Sequence, residues 1–188
     1  MAKQAETVSN ARLNQALAAC KSDREKCLVL LSTKAGLRAV EIAGLTWSRV
    51  DLEERKLLLA TTKGNKPRTV PMSRELWEAL EAYRRSRQGH TGANDPVFVN
   101  TQAAPGKALT PNAVAVWFRD FYRRRLGWTG YSSHSGRRSF ATNAAKKIVI
   151  AGGSLKDVQA LLGHENLNTT QRYIETDEDA QRKVVDML

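Results

Sequence analysis

Hydrophobic residues recur at helical spacing along most of this chain. The first such segment carries Leu13 and Leu17, which lie one turn apart on a single helix face. A second apolar segment follows Ser22, and Ser22 with Glu25 three residues later has the pattern of a capping box. Gly36 is placed to end this segment. The pattern therefore predicts two successive helices before residue 36.

A short apolar segment follows directly, in the sequence AGLRAVEIAGL (35–45). Val40, Ile42 and Leu45 suit one more short helix, and Arg38 lies at the turn into it. A side chain at the end of a helix can project toward a ligand. Arg38 is therefore a candidate functional residue.

Strand patterns come next in the chain. Residues Leu57 to Thr61 and Arg68 to Val70 flank the sequence KGNK, whose glycine and asparagine suit a tight turn. They predict an antiparallel hairpin with Lys63 at its tip. Another short strand is predicted at Val97 to Val99.

Cap signals predict further helices in the rest of the chain. Helix starts are indicated at Ser73, Thr110, Ser135, Ser154 and Thr169 or Thr170. Glycines suited to end these helices lie at Gly127, Gly152 and Gly163. The sequence thus predicts one mainly α domain with a small antiparallel β-sheet, an α+β fold.

The charge balance points to a nucleic-acid partner. The 188 residues include 30 Lys and Arg against 19 Asp and Glu, a net charge of +11. No apolar run approaches the ~20 residues of a membrane span, and the first residues lack a signal peptide, so we expect a cytoplasmic protein, in a bacterial cytoplasm or nucleoid. Cys20 and Cys27 lack metal-ligand spacing, which predicts reduced thiols and no metal site.

Several polar residues at predicted helix ends suit chemistry on a phosphodiester. Arg38 and Arg137 offer paired donors that match phosphate oxygens and stay charged. His134 lies three residues before Arg137, so both side chains fall on one face of a helical first turn. His164 is a second imidazole that can bind a phosphate oxygen or move a proton.

A nucleophile and a proton donor complete this hypothesis. Tyr173 follows His164 by nine residues, and its phenol can attack phosphorus if a base and cations activate it. Lys63 has the charge and reach of a general acid, although most lysines at hairpin tips are solvated turn residues.

Four segments together resemble the catalytic domain of the tyrosine recombinases, also called phage integrases. They are AGLRAVEIAGL (35–45), KGNKPRTVPM (63–72), HSGRRSFAT (134–142) and LKDVQALLGHENLNTTQRY (155–173). The resemblance implies the catalytic-core fold of that family and strand cleavage through a 3′-phosphotyrosyl intermediate, with no metal and no ATP. It implies the catalytic residues Arg38, Lys63, His134, Arg137, His164 and Tyr173. Candidate DNA contacts are Lys66, Arg68, Arg138, Lys146 and Lys147.

The resemblance also sets expectations for organisation and partners. Residues 1–173 would form the catalytic domain, without the N-terminal core-binding domain of full-length integrases, and 174–188 a tail or subunit-exchange segment. Expected partners are double-stranded DNA, further copies of the chain in a tetramer on DNA, and accessory DNA-bending proteins. The expected function is integration or excision of a mobile element. Alternatives are relaxation of DNA as by a type IB topoisomerase, and a non-catalytic DNA-binding module.

Overall fold

Seven α-helices and one three-stranded sheet make up the described part of the chain. The computed structural model describes residues 4–60, 67–87, 89, 91–100, 106–164, 182 and 185–186. The helices are α1 Asn10–Ala19, α2 Asp23–Lys34, α3 Ala39–Ala43, α4 Arg74–Ser86, α5 Pro111–Asp120, α6 Ser135–Ile148 and α7 Leu155–Leu162. The strands are β1 Val50–Asp51, β2 Lys56–Leu59 and β3 Arg68–Pro71. The predicted mainly α fold with a small antiparallel sheet is confirmed.

Four helices begin with caps at positions that the sequence predicts, whereas α6 begins at the predicted Ser135 without a side-chain cap. The hydroxyls of Ser22, Ser73 and Thr110 each accept a hydrogen bond from a backbone N–H in the first turn of α2, α4 and α5. Ser154 and Asp157 form the capping box of α7. The helix predicted at Thr169 or Thr170 lies outside the described residues.

The sheet is antiparallel throughout, with strand order β1-β2-β3. Leu57 pairs with Val70 on one side and with Val50 on the other. All three side chains are buried, so this face of the sheet packs on the core. The predicted hairpin strands are confirmed, whereas β1 was not predicted. The turn at Lys63 to Lys66 lies outside the described residues.

The strand predicted at Val97 to Val99 is wrong. Val97 donates its backbone N–H to Leu45, and Phe98 accepts a hydrogen bond from Leu109. Val99 forms an isolated bridge with Ala108. The segment thus contacts several partners by single hydrogen bonds and builds no ladder, although its side chains at 97 and 98 are buried.

Helix α2 lies at the centre of the core. Its residues 27–33 are all buried, because α4 and α6 pack on it from different sides. A smaller cluster of Ala141, Val158 and Leu162 joins α6 to α7. Helix α5 continues as a π-helix over Phe121–Arg125, and Gly127 follows it with a φ of 69°. This packing fixes α6 and α7 relative to the loop after α2.

The segment before α1 crosses the N-terminal half of α6. Val8 donates its backbone N–H to the buried Ser139 hydroxyl at 2.6 Å, and Arg138 donates to the carbonyl of Ala5. The Tyr131 hydroxyl donates to the carbonyl of Thr7. Residues 5–8 are therefore tied to the helix that carries the HSGR motif.

Both cysteines are free thiols. Burial raises the pKa of Cys20 to about 11 and moves that of Cys27 in the same direction. Neither sulfur is a thiolate at neutral pH. Among the described residues, no helix is long and apolar enough to cross a membrane.

Candidate active site

A glycine allows α6 to approach α2 closely at the site. A Cβ added at Gly136 would lie 2.9 Å from the backbone carbonyl carbon of Ser32 and still closer to its side chain. Only glycine fits this position without a shift of one helix. The close approach brings the neighbouring Arg137 to the loop after α2.

Arg137 is buried and holds together three parts of the fold. Its side chain is 6% exposed. Nη1 donates to the carbonyl of Gly36 at 2.6 Å, while Nη2 donates to the carbonyl of Leu162 at 2.8 Å. Nη2 also lies 3.0 Å from Nε2 of His164. These contacts fix the guanidinium between the loop after α2 and the C-terminal end of α7.

His164 is held directly after α7 by the turn that ends this helix. Gly163 adopts a φ of 65°, the left-handed conformation typical of a helix C-cap. The backbone N–H of His164 donates to Gln159, whose side-chain amide donates back to the carbonyl of His164. These two hydrogen bonds fix the backbone of His164, and the contact of Nε2 with Arg137 orients the ring.

The contact with Arg137 determines the tautomer of His164. A guanidinium can only donate, so Nε2 of His164 must accept and the ring proton must lie on Nδ1. Burial, then the positive charges of Arg137 and Arg38, lower the pKa of His164 to about 4. The imidazole is therefore neutral at physiological pH.

Arg38 occupies the N-cap position of α3, as the sequence predicts. Its backbone N–H donates to Oε2 of Glu41 at 2.8 Å, and its Nη1 lies 3.5 Å from Oε1 of the same carboxylate. The Arg38 side chain keeps 29% of its surface exposed. It can therefore reach a ligand from a position that Glu41 fixes.

Glu41 is the acidic residue at the centre of the arginines. Its side chain is 1% exposed. Burial by itself would raise the pKa of this carboxyl, but hydrogen bonds from Arg68 and from the Arg38 backbone, with the charges of Arg68 and Arg137, lower it below its usual range. Glu41 is an anion at neutral pH, and it was not among the predicted site residues. The signal was present, since a glutamate three residues after a helix N-cap completes a capping box.

The side chain of Arg68 is largely buried, although Arg68 lines a cavity together with His164. Its side chain is 4% exposed, and both terminal nitrogens bind Glu41, at 2.7 and 3.1 Å. Both terminal nitrogens are thus engaged by Glu41, and the contact of Arg68 with DNA stays a prediction. The alternating pattern of β3 in the sequence does not predict the ion pair of Arg68 with Glu41, which lies 27 residues earlier in α3.

A cavity of about 250 Å³ brings the predicted residues together. Its described lining consists of Gln4, Ala5, Arg38, His134, Arg137, Arg138 and His164. Three arginines and two imidazoles thus face one space, and no acidic residue is among the described residues that line it. Gln4 and Ala5 come from the segment before α1, which the sequence did not associate with the site.

His134 lies at the N-cap of α6 with an exposed side chain, on the same cavity as Arg137. Lys146 and Lys147 are exposed in the last turn of α6, about 14 Å along the helix axis from Arg137. Lys63, Lys66 and Tyr173 lie outside the described residues. Within the described ranges no group of three His, Cys, Asp or Glu side chains is placed to hold a metal ion.

This arrangement suits a bound phosphate group. Guanidinium donors held in a partly buried cavity bind non-bridging oxygens more strongly than in water, because the surroundings screen charge less. Donors fixed before the reaction also stabilise negative charge that develops in the transition state. Arg38 and Arg137 are fixed in this way by Glu41 and by backbone carbonyls.

Comparison with known proteins places the chain in a family. The Phage integrase family matches residues 6–180. The chain is 35% identical over 154 residues to tyrosine recombinase XerC of Pseudomonas aeruginosa, covering 82% of the chain and 48% of that protein. It is 32% identical over 166 residues to XerC of Proteus mirabilis, covering 88% of the chain and 52% of that protein. The chain thus spans about half the length of these curated relatives.

Solved structures agree with this result. The XerA recombinase shares 26% identity with a TM-score of 0.76, over 98% of this chain and 65% of that one. The Tn1549 transposon integrase, solved in complex with transposon right end DNA, shares the fold with a TM-score of 0.80 at 19% identity, over 99% and 66% of the two chains. With the family match over most of its length, this chain belongs to the phage integrase family of tyrosine recombinases.

Proposed function

We propose that this chain cleaves and rejoins DNA strands in site-specific recombination, with integration or excision of a mobile element as its biological role. The observation that carries the proposal is that Arg38, His134, Arg137 and His164 line the same cavity. Tyr173 lies nine residues after His164. The naming of the XerC relatives as tyrosine recombinases supports this activity.

In the proposed cleavage step, Oη of Tyr173 bonds to the scissile phosphorus and the bond from phosphorus to the 5′ oxygen breaks. The phenol proton passes to the imidazole of His134, because Nε2 of His164 already accepts from Arg137, and Lys63 gives a proton to the leaving 5′ oxygen. Arg38 and Arg137 neutralise the charge on the non-bridging oxygens. A 5′-hydroxyl from a second strand then reverses the step, so the energy of the broken bond is kept in the protein–DNA ester.

The proposed partners follow from charge and chemistry. Double-stranded DNA is the substrate, and Lys146 and Lys147, at an exposed end of α6, extend the positive surface beyond the cavity. Four copies of the chain would assemble on DNA to exchange strands between two duplexes, with accessory DNA-bending proteins. Residues 174–188 would link neighbouring copies.

Covalent trapping on a nicked duplex with a candidate attachment site tests the proposal. The nick lets the short cleaved fragment diffuse away, so the phosphotyrosyl adduct accumulates and appears as a DNA-linked band on a denaturing gel. Wild type should give this band, and Tyr173→Phe should give none. Tyr131→Phe is the matched control, because the Tyr131 hydroxyl bonds to the carbonyl of Thr7. It should keep the band.

The outcomes separate the three hypotheses. An adduct together with recombinant product supports recombination. An adduct with relaxation of supercoiled DNA and no recombinant product supports activity like that of a type IB topoisomerase. DNA binding without any adduct contradicts the catalytic proposal and favours a binding module.

A further inference from the structure

We propose that Arg68 is a positioning residue for strand cleavage, which neutralises Glu41 so that Arg38 and Arg137 keep their positive charge for the scissile phosphate. The inference rests on the proposed function. Arg68 is not among the described residues that line the cavity of Arg38 and Arg137, although it lines another cavity together with His164. Its link to these two arginines is Glu41, which all three contact.

The geometry of the pair is that of a strong, buried interaction. Both terminal nitrogens of Arg68 donate to Glu41, one to each carboxylate oxygen. Their side chains are 4% and 1% exposed. A bidentate arginine and carboxylate pair out of water is fixed in orientation as well as in distance. Glu41 is therefore held mainly by Arg68, which is not among the described residues that line this cavity.

Glu41 also lies close to both arginines of the cavity. Its oxygens are 3.5 Å from Nη1 of Arg38 and 3.9 Å from Nη1 of Arg137. Without Arg68, the buried carboxylate of Glu41 would pair more closely with Arg38 and Arg137, because an unpaired buried charge is energetically unfavourable. Their guanidinium groups would then turn toward Glu41 and offer less charge to a phosphate.

Arg68 further connects the sheet to the helix before His164. Its Nε donates to the carbonyl of Leu161 at 2.9 Å, in the last turn of α7. A Cβ added at Gly163 would lie 3.0 Å from two atoms of the Arg68 side chain. The glycine that turns the chain into His164 thus also makes room for Arg68. A side chain of β3 thereby contacts both α3, which carries Glu41, and α7, which leads into His164.

A double-mutant experiment tests the inference. The variants are Arg68→Met, Glu41→Gln and the double variant, with Arg68→Lys as the conservative change. The readout is the single-turnover rate of covalent adduct formation on the nicked duplex, with thermal melts to verify folding. Arg125→Met is the matched control, since Arg125 makes a bidentate pair with Glu25 that belongs to another part of the fold.

Arg68→Met should slow adduct formation by about 10- to 100-fold, less than the loss of a direct transition-state donor. The double variant should form the adduct at least tenfold faster than Arg68→Met, because the glutamine leaves no carboxylate to compete for Arg38 and Arg137. Arg68→Lys should fall between wild type and Arg68→Met, since an ammonium keeps the charge without the bidentate geometry. Arg125→Met should lower the melting temperature and keep the rate.

Two results would overturn the inference. One is a wild-type rate in folded Arg68→Met. The other is a double variant no faster than Arg68→Met, which would make Arg68 a structural residue only. If wild type forms no adduct, the proposed function fails instead. The inference is then decided by titration with inorganic phosphate, followed through the NMR signals of the Arg137 and His164 side chains. Weaker binding in Arg68→Met and recovery in the double variant support it, and equal binding in all variants refutes it.

Discussion

Protonation of His164 should couple the stability of this domain to pH. Burial and the charges of Arg137, Arg38 and Arg68, opposed by Glu41, lower the pKa of His164 from 6.5 to about 4. Above pH 6.5 the imidazole is neutral in both the folded and the unfolded state, so it adds no pH dependence. Between pH 6.5 and 4 the unfolded state takes up a proton that the folded state does not. The folded state therefore loses stability as the pH falls.

The size of this effect follows from the pKa difference. Each pKa unit corresponds to about 1.4 kcal/mol, so a shift from 6.5 to about 4 corresponds to about 3 kcal/mol. Because His164 lines the cavity, water there screens part of the repulsion, and we expect about 2 kcal/mol. The loss should be nearly complete at pH 4.

Urea denaturation between pH 7 and pH 4 measures the effect, with His164→Gln as the informative variant. Glutamine can still accept from Arg137 but does not titrate, so the decline in the free energy of unfolding should be smaller by about 2 kcal/mol than in wild type. Carboxylates that titrate in the same range contribute to both proteins and cancel in the difference. Equal declines in wild type and His164→Gln would refute the reasoning.

Two further changes test the packing and the DNA-binding surface. Gly136→Ala should destabilise the domain by about 1–3 kcal/mol in thermal melts, because its Cβ would meet the Ser32 backbone at 2.9 Å. Gly44→Ala is the control, since its nearest atom is 3.3 Å away, and a destabilisation as large as that of Gly136→Ala would contradict the steric argument. Replacing the exposed Lys146 and Lys147 by alanine should weaken DNA binding. The slope of log affinity against log salt should become shallower by about 1 for each of these lysines that binds a phosphate. An unchanged slope would show that neither lysine contacts DNA.

Local signals in the sequence were sufficient to predict where most of the helices begin and end. The hydroxyl caps at Ser22, Ser73 and Thr110, and the glycine after α7, act within one helical turn, so their chemistry is visible in a short segment. The segment at residues 97–99 shows where such signals fail. Apolar β-branched residues predict burial, but whether neighbours form a ladder depends on distant parts of the chain.

In the candidate site, too, local patterns predicted neighbours on one helix but not contacts between distant parts of the chain. The spacing of His134 and Arg137 on one helical turn predicted that both would face one ligand, and both line the cavity. The role of Arg68 depends on its contact with Glu41. The two residues are 27 positions apart in the sequence and meet because β3 lies next to α3 in the fold. Likewise, Gln4 and Ala5 reach the cavity only because the first segment crosses α6. Contacts of this kind arise from tertiary packing, which no spacing rule encodes.

The claim that the cavity neutralises phosphate charge is tested most directly with a substrate that lacks this charge. In a nicked duplex, a methylphosphonate at the scissile position replaces one non-bridging oxygen by a methyl group and is neutral. Arg137→Ala should slow adduct formation on the normal phosphodiester by about 10²–10³-fold relative to wild type. On the methylphosphonate duplex the difference between the two proteins should shrink to a small fraction of that value. The same large difference on both substrates would contradict the account, because Arg137 would then act by something other than its charge.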